Sequence, residues 1–165
     1  MKKIIFFCFI LLTSLTTINA QRTSGYVSLA NSGNDKLQYL INNFENQEAK
    51  YIGQPLTTIF NDLELEIEGH LKLSQIINSG NDFEGLALMF FNPIDYLNLT
   101  QEEKKRLNDN NEFFEIYVKT TVGLKSDKYN EFARSYGPSW SPEMETFYSS
   151  YTVKSVKVVG YRDRQ

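Results

Sequence analysis

The 165-residue chain contains one cysteine, one histidine, one tryptophan and four prolines. A lone cysteine closes no disulfide within the chain, and zinc cages or Cys-x-x-Cys redox pairs need several sulfur or imidazole ligands together. With His70 as the only imidazole, there is no His-Glu-x-x-His zinc motif and no c-type haem attachment signature. No Gly-x-Ser-x-Gly elbow occurs, so nothing places a particular serine against His70 for acyl transfer. No apolar run reaches the roughly 20 residues that span a hydrocarbon core as a helix. The formal net charge of −3 argues against nucleic acid as a main partner, because a negative surface is repelled by phosphates.

What is present begins at the N-terminus. Lys2 and Lys3 precede an apolar run from Ile4 to Leu12, and small and polar residues follow as far as Ala20. This is the layout of a secretory signal peptide. The expectation is cleavage after Ala20, giving a periplasmic or extracellular chain that starts at Gln21 and has no membrane span. Cleavage would also remove Cys8 and take the net charge from −3 to −5. Residues 21–165 are then enough for one domain, since a chain of about 150 residues buries roughly 68–70% of its unfolded surface.

Residues 21–33 are polar and small apart from Tyr26, Val27, Leu29 and Ala30, and read as a flexible arm or a short edge strand. Residues 34–165 read as a single domain. Leu37, Leu40, Ile41 and Phe44 carry helical spacing behind an Asn34 or Asp35 cap, and Leu56, Ile59, Phe60 and Leu63 repeat it after Pro55. From Leu63 the period becomes two. Leu65, Ile67, Leu71 and Leu73 alternate with Glu64, Glu66, Glu68, His70 and Lys72, which predicts a strand with His70 and the glutamates on its wet face. Leu86 to Phe91 has no polar parity and predicts a central strand in hairpin with the first. Thr100 and Glu103 have capping-box spacing, and Phe114 to Val122 alternates as a third strand. Two short helices follow, ended by Gly137 and started by Pro142. The parity slip between Val153 and Val156 predicts a bulge in a last strand. The order α-α-β-β-α-β-α-α-β indicates the α+β class: an N-terminal helical pair, then an antiparallel or mixed sheet of about four strands with short helices in the connections.

Few residues are candidates for chemistry. The glutamates at 64, 66 and 68 could form an acidic stripe, and the string Asn-Ser-Gly-Asn-Asp at 31–35 and 78–82 is oxygen-rich. It lacks the calcium-loop spacing and the distal glutamate, so it reads as turn punctuation. No cofactor or metal is implied. Aromatic residues crowd residues 129–151, and Tyr136, Trp140 and Tyr148 are the candidate binding residues, because tyrosine and tryptophan join large contact area to a polar tip.

The stretch from Leu37 to Ile67, with helix, Tyr51-Ile52-Gly53-Gln54-Pro55-Leu56 turn, helix and alternating strand, resembles small uncharacterised exported bacterial proteins, a group that transfers no activity. The helix-helix-sheet order is also similar to outer-membrane assembly lipoproteins and β-lactamase inhibitors. The lipid-anchoring cysteine of the former and the disulfides of the latter are absent here. The functional expectation is a non-enzymatic module that binds another protein, in the manner of an immunity or inhibitor protein. Alternatives are a glycan or small-ligand binder or hydrolase with an aromatic and acidic cleft, and a structural envelope protein.

Overall fold

The structure, a computed structural model, describes residues 25–76, 82–109 and 112–160. Helix α1 (Lys36–Leu40) starts where the Asp35 carboxylate accepts the Gln38 N–H at 2.9 Å, and it continues into a π-turn at Ile41–Glu45. Helix α2 (Thr57–Asp62) follows. Strands β1 (Gly69–Ile76) and β2 (Asp82–Met89) come next, then α3 (Pro93–Asn98), α4 (Gln101–Asp109) and β3 (Phe114–Lys125). The chain ends its described part with α5 (Ser126–Tyr136), α6 (Pro142–Tyr148) and β4 (Val153–Gly160). The sheet order is β1-β2-β3-β4 and every neighbouring pair is antiparallel. The molecule is therefore α+β, and the mixed-sheet alternative gives way to a meander with helices in its longer connections.

Register sorts the side chains onto two faces. His70, Leu88, Ile116 and Val158 form one cross-strand row, and Leu86, Val118 and Val156 form the next. This face packs against Leu40 and Phe44 of the α1 segment, Ile59 of α2, Phe132 of α5 and Met144 and Tyr148 of α6. The opposite face carries Leu71, Ala87 and Tyr117 in one row and Met89, Glu115 and Val159 in another. At Gly85 a Cβ would meet the Val118 carbonyl oxygen at 2.0 Å, so only glycine permits this close strand approach.

Several sequence expectations hold. The β1–β2 hairpin forms, β2 is buried from Phe83 to Met89 apart from half-buried Glu84, and Thr100 and Glu103 make the reciprocal capping box. The last-strand bulge exists: Lys119 pairs with Ser155 but Thr120 with Val153, leaving Lys154 as the extra residue. Others are corrected. The first strand begins at Gly69, so the glutamates at 64, 66 and 68 precede it. Gly69 lies so close to Pro93 that a Cβ would be 2.7 Å from its ring, and the parity breaks there. Beyond it His70 faces the core, with no exposed area, while Leu71 turns outward at 45% exposure.

The described part of the arm, from residue 25, is tied down rather than forming an edge strand. Val27 N–H donates to Asn43 Oδ1 at 2.8 Å, Leu29 N–H to Glu64 Oε2 at 2.9 Å, and Tyr26 meets the Tyr39 hydroxyl at 3.0 Å. At the other edge, β4 is shielded by two carboxylates. Val156 N–H donates to Glu48 Oε1 at 2.9 Å and Val158 N–H to Glu45 Oε2 at 3.0 Å. Charged acceptors across outward amides block the edge from pairing with another strand. The π-turn is what brings Glu45 there.

Candidate binding site

The face opposite the helical layer holds a cavity of about 210 Å³ between the Met89–Glu115–Val159 row and α3. Local sequence fixes its roof. Asn92 caps α3 by accepting the Ile94 and Asp95 N–H groups, Pro93 occupies the first turn, and the Thr100–Glu103 box starts α4 directly behind it. Three rings form the wall. Phe91 and Phe113 have centroids 4.7 Å apart, Tyr96 and Phe113 4.5 Å, and Phe91 and Tyr96 5.6 Å, at interplanar angles of 56–77°. Such edge-to-face contacts stabilise each other beyond their buried area. Lys104 steadies this end by donating to the Leu97 carbonyl at 3.2 Å, with its ammonium 5.3 Å from the Tyr96 ring.

The mouth is apolar and wet. Leu97 is 68% exposed and Leu71 45%, and both line the cavity, while Ile94 on the same helix is 47% exposed. Glu115 also lines the cavity although it is only 3% exposed. A hollow with aromatic walls, a few polar groups and exposed leucines at its entrance is built to receive an apolar group.

The three residues singled out from sequence lie on the other side of the sheet and are not brought together at a surface. Tyr148 is fully buried, Trp140 is half-buried, and their rings stack at 6.3 Å. Trp140 also meets Phe60 edge-on at 5.7 Å. Tyr136 is 40% exposed, packs on Phe132, and lines neither this cavity nor the groove beside Trp140. That groove, about 290 Å³, is bounded by Phe60, Leu65, Trp140 and Pro142 and by the carboxylate-bearing Glu66 and Glu145. Of the predicted acidic stripe only Glu66 reaches it. Glu64 is committed to the Leu29 N–H, and Glu68 uses its backbone to bond Met89 and Trp140.

Beneath Trp140 sits an aromatic cluster with polar edges. His70 meets Tyr129 at 5.2 Å and Trp140 at 6.1 Å, both edge-on. Both His70 nitrogens, the Trp140 indole N–H and the Tyr148 hydroxyl are buried and find no hydrogen-bond partner among the described residues. Burial pulls the His70 pKa down to about 4. The nearby Pro138 and Ser139 backbone offsets part of this without meeting hydrogen-bond geometry, so His70 is neutral at pH 7. Burial likewise pushes the Tyr129 and Tyr148 hydroxyls above their ordinary range. These groups are packed and un-ionised, an arrangement suited to holding the loop at residues 137–141.

The first oxygen-rich string forms a turn with Gly33 and Asn34 at positive φ before Asp35 caps α1, and the second, apart from Asp82, lies outside the described residues. Asp82 pairs with Lys125 at 2.8 Å. Among the described residues no three His, Cys, Asp or Glu side chains converge as metal ligands. Sequence reasoning missed the cavity. Its signals were Phe113, just before β3, with Glu115 on the same parity within it, and the Phe90-Phe91 pair, of which Phe90 packs in the core and Phe91 lines the cavity. No known family model, curated protein or solved structure matches this chain.

Proposed function

We propose that this chain is an exported, non-enzymatic binding module that docks another protein through the cavity beneath α3. The observation that carries this reading is the pair of exposed leucines, Leu71 and Leu97, at the mouth of an aromatic-walled hollow. Fully burying a leucine side chain is worth about 1.5–3 kcal/mol, so an anchor that covers both and fills the hollow supplies the core of a hot spot. The residue pattern of 1–20 supports export, and N-terminal sequencing of the natural protein is expected to begin at Gln21.

A photo-cross-linking amino acid at position 97, in the native host, tests the docking face. The expected result is one discrete adduct from position 97 that disappears when Leu71→Asp is added. An adduct from position 136 with none from position 97 would contradict the reading. A glycan-binding reading is favoured by one observation, the partly exposed Trp140 beside Glu66 and Glu145 in the second groove. Saturable quenching of the single tryptophan by a glycan would support it, and a flat response across a glycan panel would count against it.

A further inference from the structure

The loop between α5 and α6 touches both faces of the sheet. Gly137, at positive φ, ends α5, and Ser141 caps α6 by accepting the Met144 N–H. Between them the chain is laid along the outer edge of β1. His70 N–H donates to the Pro138 carbonyl at 3.0 Å, Trp140 N–H donates to the Glu68 carbonyl at 3.2 Å, and Ser139 pairs with Gly69. On the helix-covered face the Trp140 ring meets the fully buried His70 imidazole edge-on, and on the other face Pro138 lines the cavity. A Cβ on Gly69 would lie 3.1 Å from the Pro138 carbonyl oxygen and 2.7 Å from the Pro93 ring, so loop, strand and roof helix meet without slack.

The surroundings of His70 are hostile to a positive charge. Tyr129 of α5 meets it at 5.2 Å, Tyr148 of α6 stacks on Trp140, and Leu88 is its cross-strand neighbour on β2. On its own strand Lys72 holds its ammonium 5.6 Å from the Tyr129 ring, while Glu66 and Glu145 lie in the groove beside Trp140. Burial opposes an imidazolium, and only the Pro138 and Ser139 backbone partly offsets it. We propose that protonation of His70 unseats residues 138–140 from the β1 edge, withdraws Pro138 from the cavity wall and shuts off docking in acid. This regulates the cavity assigned above to docking, and it rests on that reading only for its consequence. The sign follows from linkage. An imidazole that titrates at about 4 in place and 6.5 when freed favours the released loop by up to about 300-fold once protonated.

The test follows the full chain from pH 7 to pH 4 with three probes. The His70 ring resonances report the proton, and emission from Trp140, the single tryptophan, reports the loop. Among methionine methyl groups, Met89 reports the cavity, and Met144, fully buried under the helix-covered face, is the control. The expected result is a red shift of emission and a displacement of Met89 that share one midpoint with His70, between pH 4 and 6.5, while Met144 stays fixed. His70→Phe keeps the ring and takes up no proton, so neither transition is expected in it. Emission that moves with Met89 fixed overturns the link to the cavity. Acid release is overturned if both probes are unmoved at pH 4, if Met144 moves at the same midpoint, or if His70→Phe shows the same transitions. The comparison of midpoints within the unaltered chain decides the matter without that variant, since a Met89 midpoint away from that of His70 also overturns it. Docking has a separate readout. Binding of indole, read at Met89, is expected to be lost between pH 7 and pH 4 and to persist in His70→Phe. A cavity that takes no indole at pH 7 counts against the docking reading, and Met89 itself still decides the coupling.

Discussion

The two faces of the sheet solve opposite problems. On the helix-covered face, Leu88, Ile116 and Val158 are sealed, and even polar residues are drawn in: His70 and Tyr148 have no exposed area. On the other face apolar residues are left out, with Leu71 and Leu97 in water around a hollow. Buried polar atoms without partners each cost roughly 1–3 kcal/mol, so the sealed face spends stability to keep its aromatic cluster. Exposed leucines beside a preformed cavity forgo burial energy that a partner can later recover. One face holds the fold, and the other is the one proposed above for recognition.

The largest expected effect breaks that contrast at its centre. Ile116→Ala, at a fully buried position, is expected to cost about 2–5 kcal/mol in urea unfolding, through lost transfer energy and the void left behind. A cost below 1 kcal/mol would mean the helical layer is not packed on this row. Next in size is a pH effect. The folded pKa of His70 is about 4 against an ordinary 6.5. Below pH 6.5 the unfolded chain therefore takes up a proton that the folded chain refuses. Stability is lost as pH falls from about 6.5 and levels off near 4, by up to about 3 kcal/mol at 1.36 kcal/mol per pK unit. His70→Phe keeps the ring contacts and is expected to lose that much less between pH 7 and 4. Parallel pH profiles for the two proteins would contradict the buried, neutral His70.

A smaller effect concerns the shielded edge. Replacing Glu45 and Glu48 together by glutamine turns two charge-assisted hydrogen bonds to Val156 and Val158 into neutral ones, for an expected loss of about 1–2 kcal/mol. Faster amide exchange confined to β4 would accompany it. The smallest expected effect is at the mouth. Leu97→Ala should change stability by less than about 0.5 kcal/mol, because the side chain is mostly in water, while under the proposed docking it is expected to abolish partner capture. A loss of stability comparable to that of Ile116→Ala would make Leu97 a core residue.

Much of the fold was legible because hydrophobic period and cap chemistry act locally. Asp35, Thr100 with Glu103, and Pro142 each mark a helix start that the structure shows. The shift between Val153 and Val156 identified the β4 bulge. His70 was misplaced because its parity was counted from Leu65, and the reversal depends on Gly69 meeting Pro93 and Pro138, contacts distant in sequence. The cavity was illegible for the same reason. Phe91 lies between β2 and α3, Tyr96 within α3 and Phe113 just before β3, and only the tertiary fold brings these three positions together. Trp140 drew attention by rarity, but its partners Tyr148, Phe60 and His70 converge on it from α6, α2 and β1, and that makes it a packing residue.

The most direct test of the contrast between faces is a titration of the methionine-methyl-labelled protein with a small apolar probe such as indole. The account predicts a saturable shift of the Met89 methyl resonance with Met144 unmoved, since Met89 lines the open-face cavity and Met144 is fully buried on the helical side. A shift at Met144 with Met89 unmoved would place the accessible hollow on the helical side and contradict the assignment of recognition to the open face.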